Sequence, residues 1–462
     1  MDPCVRLLLV TFPGQPQINP GLQLAKRLLK MVVDVTYATA FSAINRMIRS
    51  TTRTPPGLTF FGFSDGHDGG WEMDNLDNQM EELKRRGSEA VANLITSQAE
   101  RGQAFMHVVY TPFVPWAGQV AHDLHVPSTF MWIQPATILD IYYYYFNGYG
   151  DSIRNNMSDP SWSVELPGLP LVTGSDLPSY LLASNTYNFA LPLLKEHFDV
   201  LDARNNPKVL VNSFDALEPG ALRAIEKLNL VAIGPLIPSA FLDGKDPSDN
   251  SFGGDLFEDS KAYIKWLDSK PSDSVIYAAF GSYSPIAKQQ LQEISQGLLA
   301  CGRPFLWVVR ATEEEKLSCK EKLEQQGMIV PWCSQVEVLS HPSVGCFLSH
   351  CGWNSSMESL VSGVPVVAFP QWADQVTNAK LIQDVWKTGT RVKPNLDHLV
   401  ESDEIKRCIE MVMGGDEMRT NAEKWKDLAR EAGKDGGSSE KNLRTFVDEV
   451  RASKVELTVL QN

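Results

Sequence analysis

The chain has 462 residues, of which 43% are apolar and 21% are charged, and its formal net charge is −14. That length suffices for two or three ordinary domains with ample cores. The negative charge argues against nucleic acid or an anionic membrane surface as a partner, because phosphate neutralisation needs clustered Lys and Arg. No apolar run reaches the roughly 20 residues of a membrane span, and Val5–Phe12 is too short for a secretory core. We expect a cytoplasmic protein with seven reduced cysteines.

The first half of the sequence alternates short apolar runs with amphipathic stretches, which predicts a parallel sheet flanked by helices. Val5–Phe12 is predicted as a buried strand, Asn19-Pro20 as the start of the first helix, and Val33–Ala38 as the second strand. No G-x-G-x-x-G follows the first strand, so we predict no dinucleotide site there. The same pattern predicts strands at Leu58–Phe63, His107–Tyr110, Ser128–Ile133, Val209–Asn212 and Val231–Gly234, and helices at Glu81–Ile95, Trp116–Leu124, Ala136–Phe146, Tyr187–Leu201 and Glu218–Leu228.

A stretch rich in Pro, Gly, Ser and Asp separates this half from the next, and its low apolar content predicts a linker. We therefore divide the chain into a first domain, residues 1–237, a linker, residues 238–254, and a second domain, residues 255–439. The alternation then restarts, with predicted strands at Ser274–Phe280, Phe305–Val309 and Met328–Val330, and helices at Lys288–Leu299, Thr377–Val385, Asp403–Met413, Glu417–Ala432 and Glu440–Val450.

The stretch from Trp332 to Gln375 places a helix directly after a strand and a tight turn. The apolar run Val344–Ser349 predicts a strand, Trp353–Ser362 a helix, and Val366–Phe369 the next strand. The first N–H groups of a helix lack intrahelical partners, and the helix dipole favours negative charge there. A phosphate or a diphosphate is therefore the expected guest.

Polar side chains gather around this helix start. His350 follows the strand, at the edge where open parallel sheets bind ligands. Asp374 and Gln375 follow the next strand, so they belong to a neighbouring loop at the same edge. Ser355 and Glu358 are three residues apart, which also predicts a capping box. Taken singly, such residues are more often caps or core side chains; their combination is what is specific.

The whole stretch resembles the signature box of plant UDP-dependent glycosyltransferases. The matching residues are Trp332, Gln335, the run from His350 to Ser355, Glu358 and the run from Pro370 to Gln375. The likeness extends over most of the chain and is nearest to the branch that glucosylates small acids, phenolics and anthocyanins. It implies an α/β protein of the GT-B type, with two facing Rossmann-like domains, parallel sheets and an interdomain cleft. It also implies that the last helix, 440–462, crosses back onto the first domain.

The resemblance further implies a reaction: inverting transfer of glucose from UDP-glucose, the co-substrate, to a small aromatic or terpenoid acceptor bound mostly by the first domain. No metal or other cofactor is expected, and a monomer is the family default. Gln375 is the form associated with glucose donors. By resemblance, the UDP-binding residues are Ser282, Trp332, Cys333, Gln335, His350, Gly352, Asn354, Ser355 and Glu358, and the sugar-binding residues are Trp353, Asp374 and Gln375.

The sequence departs from the family at the catalytic base. The family normally has a His after the first strand, in a Gly-His-x-x-Pro setting, and here Gln17 stands at that position, between Pro16 and Pro20. The usual Asp partner of that His is replaced by Thr111. An amide does not accept a proton near neutral pH, so both members of the expected pair are missing.

Three explanations are open. In the first, the acceptor arrives ionised: a carboxylate needs no base at neutral pH, and Gln17 would position it by a hydrogen bond. A hydroxyl acceptor would need another group, for which His67, Asp68 and His122 are candidates. The chain would otherwise bind a UDP-sugar without turnover. Because the donor box is intact, we favour an active glucosyltransferase that forms a glucose ester.

Aromatic residues of the first domain are the candidates for an apolar acceptor pocket. A helix turns only some of its side chains toward one face, so the aromatic run at Tyr142 cannot contribute all its members. The candidates are Phe113, Trp116, Trp132, Tyr142, Tyr143, Tyr144, Tyr145 and Phe146.

Overall fold

A computed structural model of the protein describes residues 5–50, 54–70, 75–159, 161–252, 262–281 and 285–460. Within these residues the strands are β1 (Val5–Val10), β2 (Val33–Ala40), β3 (Leu58–Phe63), β4 (His107–Tyr110), β5 (Ser128–Trp132), β6 (Ser163–Val164), β7 (Val172–Thr173), β8 (Lys208–Val211), β9 (Asn229–Ala232), β10 (Val275–Ala279), β11 (Phe305–Val308), β12 (Met328–Val330), β13 (Val344–Ser349), β14 (Val366–Ala368) and β15 (Gly389–Arg391).

The α-helices of the same residues flank the strands in chain order. They are α1 (Gln15–Lys30), α2 (Phe41–Ser50), α3 (Leu76–Glu100), α4 (Pro115–Asp123), α5 (Ala136–Tyr144), α6 (Gly150–Asn156), α7 (Ala190–Asp202), α8 (Ser239–Leu242), α9 (Ala262–Asp268), α10 (Lys288–Ala300), α11 (Ala311–Glu314), α12 (Lys320–Gln326), α13 (Gln335–Leu339), α14 (Trp353–Ser362), α15 (Gln375–Lys380), α16 (Ser402–Met413), α17 (Asp416–Gly433) and α18 (Ser438–Leu460). None of the helices described is long and apolar enough to cross a membrane.

The strands of the described residues form two large sheets, one in each half of the chain, and β6 and β7 pair separately as a small antiparallel sheet. The N-terminal sheet has the order β3-β2-β1-β4-β5-β8-β9 and the C-terminal sheet the order β12-β11-β10-β13-β14-β15. Neighbouring strands in both sheets are parallel, so the connections cross over through helices. The strand order reverses between β1 and β4 and again between β10 and β13, the positions where open α/β sheets bind ligands. The predicted α/β fold with two Rossmann-like halves is confirmed.

Strands such as β13 are buried along their whole length, as expected for parallel strands covered by helices on both faces. Each half has its own apolar core on the two sides of its sheet. A further apolar cluster joins the halves, because Phe214 and Leu217 of the N-terminal half pack with Trp353 and Trp386 of the C-terminal half. The two sheets therefore face each other across a contact that includes core side chains.

The last helix, α18, lies on the N-terminal half. Phe446 and Val447 are buried among residues of β1 and α1, and Phe446 packs edge-on against His107 of β4, with ring centroids 5.3 Å apart. Arg451 Nη2 donates to the carbonyl of Met31 over 2.6 Å. The chain thus passes from the first half to the second and returns at its end.

Two local predictions were wrong. Helix α1 begins at Gln15 rather than at Asn19-Pro20, because Pro16 fits the first turn of a helix and the missing N–H of Pro20 removes only one bond from its interior. The stretch 218–228 contains a single 3₁₀ turn, Ala221–Arg223, because Pro219-Gly220 interrupts the pattern. The carboxylate of Glu218 instead accepts from the first N–H groups of α5, Ala136 N at 3.1 Å and Thr137 N at 3.0 Å.

The described part of the segment predicted as a linker packs against the rest of the protein. Residues 239–242 form helix α8, and Leu242 and Phe252 are buried in the cluster that joins the halves. Asp249 accepts from Lys26 Nζ of α1 over 2.7 Å. Residues 253–254 of the predicted linker, and the predicted start of the second domain at 255, lie outside the described residues.

Candidate active site

A cavity of about 900 Å³ lies between the two halves and is lined by both. Its wall includes the residues that follow β1, β4, β10 and β13, so it occupies the point where the strand order of each sheet reverses. The cavity is lined by every predicted UDP- or sugar-binding residue that the structure describes. These are Trp332, Cys333, Gln335, His350, Gly352, Trp353, Asn354, Ser355, Glu358, Asp374 and Gln375. Ser282 lies outside the described residues.

Helix α14 points its N-terminus into this cavity. Gly352 is the N-cap residue, no side chain caps the helix within the described part of the chain, and the first intrahelical bond runs from Ser356 N to Gly352 O at 2.9 Å. The N–H groups of Trp353, Asn354 and Ser355 precede that bond and have no intrahelical acceptor. The predicted capping box is therefore wrong: Ser355 lies inside the helix, where its Oγ accepts from Gln335 Nε2 over 2.7 Å.

His350 is held at this helix start between two glycines. A Cβ atom would lie 2.6 Å from His350 Nε2 at Gly352 and 2.7 Å from it at Gly281, whose φ is +79°. Neither position has room for a side chain, so the imidazole and the backbone approach each other closely. Burial lowers the pKa of His350 to about 4, although the Ala279 carbonyl acts in the opposite direction. The imidazole is therefore neutral near pH 7 and offers a hydrogen bond without a charge.

A hydrogen-bonded group of side chains forms the wall beside the helix. Gln335 Nε2 donates both to Ser355 Oγ and to Glu358 Oε2. Tyr277 OH, from β10, donates to Gln335 Oε1 over 3.3 Å and lies 3.4 Å from Cys333 Sγ. This arrangement brings together residues that are 81 positions apart in the sequence (358 − 277), and it exposes a carboxylate and an amide to the cavity.

Asp374 and Gln375 lie at the start of α15, on the same cavity wall. Asp374 Oδ2 accepts from Asn378 Nδ2 over 2.7 Å, and burial raises the pKa of Asp374 to about 6. Gln375 Oε1 accepts from the backbone N–H groups of Gln371 and Trp372, at 2.9 and 3.2 Å. The carboxylate of Asp374, which also accepts from the side chain of Gln134, is thus an acceptor on the cavity wall, and the amide –NH₂ of Gln375 is a donor.

Two residues of α14 also contact the N-terminal half. Trp353 is buried, and its Nε1 donates to the carbonyl of Asn212 over 2.8 Å. Asn354 Nδ2 donates to the carbonyl of Pro16 over 3.0 Å. These contacts could not be predicted from local patterns, because they join residues 141 and 338 positions apart.

Gln17 lines the opposite wall of the cavity, and Thr111 is hydrogen-bonded to it from behind that wall. Thr111 Oγ1 accepts from the backbone N–H of Phe12 at 3.3 Å and donates its proton to Gln17 Oε1. Both side chains are buried. Because the amide oxygen of Gln17 accepts from Thr111, the group of Gln17 that is left for an acceptor molecule is its –NH₂, which is a donor and not a base.

The acceptor side of the cavity is aromatic, but fewer of the candidates reach it than the sequence predicted. Phe113, Trp132 and Tyr142 line the cavity. The others, Trp116, Tyr143, Tyr144, Tyr145 and Phe146, are not among its lining residues. Trp116 packs into the core against Phe63, with ring centroids 6.1 Å apart. A helix presents one face to the cavity, which is why only the first tyrosine of α5 takes part.

Sequence reasoning also missed three aromatic residues of the cavity wall, Tyr180, Tyr187 and Phe189. Tyr180 belongs to a segment without a periodic pattern, and Tyr187 and Phe189 precede α7, which begins at Ala190 and not at the predicted Tyr187. The alternative bases His67, Asp68 and His122 are not lining residues. Among the described residues, no group of three or more His, Cys, Asp or Glu side chains is arranged to hold a metal ion.

This fold and this cavity define the GT-B class of nucleotide-sugar transferases, and comparisons with known proteins agree. Residues 257–431 match the family model described as UDP-glucoronosyl and UDP-glucosyl transferase. The chain is 57% identical to crocetin glucosyltransferase, chloroplastic, of Gardenia jasminoides, over 96% of this chain and 97% of the relative. It is also 57% identical to phloretin 4'-O-glucosyltransferase of Malus domestica, over 97% and 98%. The crystal structure of Os79 from O. sativa in complex with UDP matches 96% of this chain and 100% of its own, with TM-score 0.85 and 34% identity.

The chain therefore belongs to the plant UDP-dependent glycosyltransferases, as the resemblance indicated, and to the branch that contains phenolic and anthocyanin glucosyltransferases. It is an enzyme of that family, with a UDP-sugar as co-substrate and a small molecule as acceptor. One relative is named as chloroplastic, and the cytoplasmic location of this chain stays a prediction. The roles of individual site residues are proposals.

Proposed function

We propose that the protein transfers glucose from UDP-glucose to the carboxylate of a small plant acid and releases a glucose ester and UDP. The observation that carries this proposal is the hydrogen bond between Gln17 and Thr111. It places groups that take up no proton near neutral pH at the position of the family's base. A carboxylic acid, with a pKa of about 4–5, arrives ionised and needs no base.

Other features of the acceptor side support an anionic acceptor. The –NH₂ of Gln17 is a donor suited to a carboxylate oxygen, since Thr111 takes the amide oxygen. Arg46 is the one Lys or Arg side chain among the described lining residues. Phe113, Tyr142 and Tyr180 offer apolar surface for the body of the acid. An acid with an aromatic or terpenoid skeleton fits both features.

On the donor side, we assign the diphosphate to the first N–H groups of α14, with Asn354 and His350 beside it. The half-buried face of Trp332 is assigned to uracil, and Gln335 and Glu358 to the ribose hydroxyls, for which their mutual hydrogen bond would open. Cys333, Gly352 and Ser355 complete this wall.

The glucose is assigned to Asp374 and Gln375, which offer an acceptor and a donor for its hydroxyls. Gln375 supports glucose as the donor sugar by the family resemblance. We assign Trp353 a backbone role only, because its indole N–H is bonded to the Asn212 carbonyl.

The proposed reaction is a single displacement. A carboxylate oxygen attacks the anomeric carbon while the bond from that carbon to the diphosphate breaks, and the bonding electron pair leaves with UDP. No proton is transferred, and attack opposite the leaving group inverts the anomeric carbon. Charge that grows on the diphosphate is stabilised by the α14 N–H groups and by neutral His350. The mechanism as proposed uses no metal ion.

The test is a pair of matched acceptors. A hydroxycinnamic acid whose phenol is methylated offers only its carboxylate, and the methyl ester of the acid with a free phenol offers only its hydroxyl. With saturating UDP-glucose, we expect the first to be turned over at least about 100-fold faster, because the second lacks general-base help. Equal or faster turnover of the phenol would overturn the ester proposal.

Glucosylation of a phenolic hydroxyl is the second candidate, favoured by the 57% identity to a relative named phloretin 4'-O-glucosyltransferase. Asp374, whose pKa of about 6 is raised by burial, is the lining carboxylate best suited to act as a base for it. If calorimetry detects UDP binding while neither acceptor is turned over, the third explanation, a binding protein without turnover, is supported instead.

A further inference from the structure

The loop from Trp372 to Gln375 belongs to the C-terminal half in sequence but is seated on the N-terminal half. Trp372 stacks on Tyr187, with ring centroids 4.9 Å apart and planes 30° apart. Ala373 is 6% exposed and is buried in the apolar core of the N-terminal half. The residues assigned to glucose, Asp374 and Gln375, come directly after these two contacts.

Ala373 has a backbone conformation that a side chain disfavours, and Ser179 holds it there. The φ of Ala373 is +54°, in the left-handed region, which costs an L-residue roughly 1 kcal/mol. Ser179 N donates to Ala373 O over 2.9 Å, and Ala373 N donates to Ser179 Oγ over 2.6 Å. One serine of the N-terminal half thus binds both sides of the strained residue that precedes Asp374.

A second set of contacts from the same N-terminal segment reaches α15. Thr377 Oγ1 donates to the carbonyl of Asp176 over 2.6 Å. The carboxylate of Asp176, buried at 1% exposure, pairs with Arg391 at 2.9 Å and with Lys380 at 3.4 Å. The helix that begins at Gln375 is therefore fixed from the side of the N-terminal half.

We infer that Ser179 is a positioning residue for the donor sugar: it holds Ala373 in the left-handed conformation that points Asp374 and Gln375 at the glucose of UDP-glucose. This inference rests on the assignment of glucose to those two residues in the proposed function. The N-terminal half, which contributes the acceptor wall, would then also position the residues that bind the donor sugar. Binding of the uridine and diphosphate does not depend on Ser179, because their residues lie on α13 and α14 and in the segments that directly precede these helices.

The experiment compares Ser179→Ala with three other variants of the full-length chain. Ser179→Thr keeps the hydroxyl. Ser175→Ala is the matched control, since Ser175 is exposed, lies in the same segment and bonds only to Thr173, at 2.9 Å, among the described residues. In S179A/A373G, glycine adopts the left-handed conformation without strain and does not need the serine. The readouts are the KM for UDP-glucose, the rate ratio of UDP-glucose to UDP-galactose, and the Kd for UDP by calorimetry.

We expect Ser179→Ala to raise the KM for UDP-glucose about tenfold and to lower the glucose-to-galactose ratio, with the Kd for UDP changed by less than about twofold. Ser179→Thr and Ser175→Ala should resemble the parent protein, and S179A/A373G should recover most of the loss. An unchanged KM and sugar ratio in Ser179→Ala, or an equal loss of UDP affinity, would overturn the inference.

A parallel measurement on Asp374→Asn separates this inference from the proposed function. If Asp374→Asn loses sugar discrimination and Ser179→Ala does not, the inference fails while the assignment of the sugar site stands. If Asp374→Asn itself leaves the KM and the sugar ratio unchanged, the assignment of glucose to this loop fails and the inference fails with it. A sensitive Asp374→Asn and a sensitive Ser179→Ala support both.

Discussion

The side-chain amide of Asn354 donates to the backbone carbonyl of Pro16 over 3.0 Å, which ties the start of α14 to the first turn of α1. This carbonyl has no intrahelical donor, because Pro20, four residues further on, has no N–H. The residue assigned to the diphosphate is therefore bonded to the element that carries Gln17. This bond is one of several that join the donor wall to the acceptor wall.

The first prediction concerns this bond. Asn354→Ala removes both a donor near the diphosphate and the link to Pro16, and we expect it to weaken UDP binding about tenfold. Uridine, which has no phosphate, should bind equally well to the parent and the variant. Calorimetry with both ligands checks this. Asn421→Ala, which removes a similar bond to the Lys387 carbonyl outside the cavity, is the control; a parallel loss of uridine affinity would contradict the assignment.

The second prediction concerns the missing base. In the double variant Q17H/T111D, a His–Asp pair replaces the hydrogen-bonded Gln17 and Thr111. We expect phenol turnover to rise by about 10²-fold or more, the usual contribution of general-base catalysis. Ester formation should change little, because the carboxylate needs no base.

Initial rates with the matched acid and phenol acceptors measure both effects in one preparation. Thr111→Asp alone is the control, since it adds a carboxylate without the imidazole that would take the proton. A comparable rise in ester formation in Q17H/T111D would show that the acid also depends on a base, contrary to the proposal.

The third prediction follows from Asp374. Burial raises its pKa to about 6, so the carboxylate is ionised above that pH and protonated below it. Its ability to accept from a sugar hydroxyl should therefore fall as the pH decreases, and the KM for UDP-glucose should rise about tenfold from pH 7 to pH 5. A KM profile across this range measures it. Asp374→Asn should have a high KM without this pH dependence; a variant that keeps the profile would assign it to another group.

The fourth prediction concerns His197, which is buried and stacked on Phe130 with ring centroids 4.2 Å apart. Burial lowers its pKa to about 3, whereas a histidine in the unfolded chain titrates near 6.5. Between these values the unfolded state binds more protons. Because of this single group, the free energy of unfolding should fall by about 1.4 kcal/mol for each pH unit below 6.5.

Urea denaturation midpoints at pH 7 and pH 5.5 test this. In His197→Phe the loss of stability over that interval should be smaller than in the parent protein by about 1.3 kcal/mol. His122→Gln, a change of an exposed histidine, controls for the removal of an imidazole. If the two variants lose the same stability on acidification, buried His197 is not the cause.

The elements around the donor site could be predicted closely from the sequence. The strand Val344–Ser349 and the helix Trp353–Ser362 have the predicted bounds, because an apolar run, a turn and the Gly363-Val364-Pro365 stop each act locally. Gly363 ends the helix with φ +74°, a conformation that glycine adopts readily. Local chemistry of this kind is visible in a single sequence.

Contacts between the halves could not be predicted in this way. Ser179 and Ala373 are 194 positions apart, and neither a periodic pattern nor a turn signal links them. The start of α1 was also misplaced, because the prediction places Pro20 in the first turn of the helix. Pro16 occupies the first turn instead, and Asn354 supplies the hydrogen bond to the Pro16 carbonyl that Pro20 cannot donate. The sequence predicted residues of the donor wall in the C-terminal half. The fold shows which residues of the N-terminal half form hydrogen bonds with them.

The return of α18 to the first sheet affects how hybrids of two family members should be built. In a hybrid with a single junction in residues 238–252, the terminal helix of one parent would pack against the sheet of the other. Phe446 and Val447 would then contact residues of the other parent. A second junction at the Gly436-Gly437 turn, which precedes α18, keeps that helix with its own sheet. Chimeras with two junctions should therefore fold more reliably than those with one. They should exchange acceptor preference between the parents while the apolar core of each half keeps its own residues.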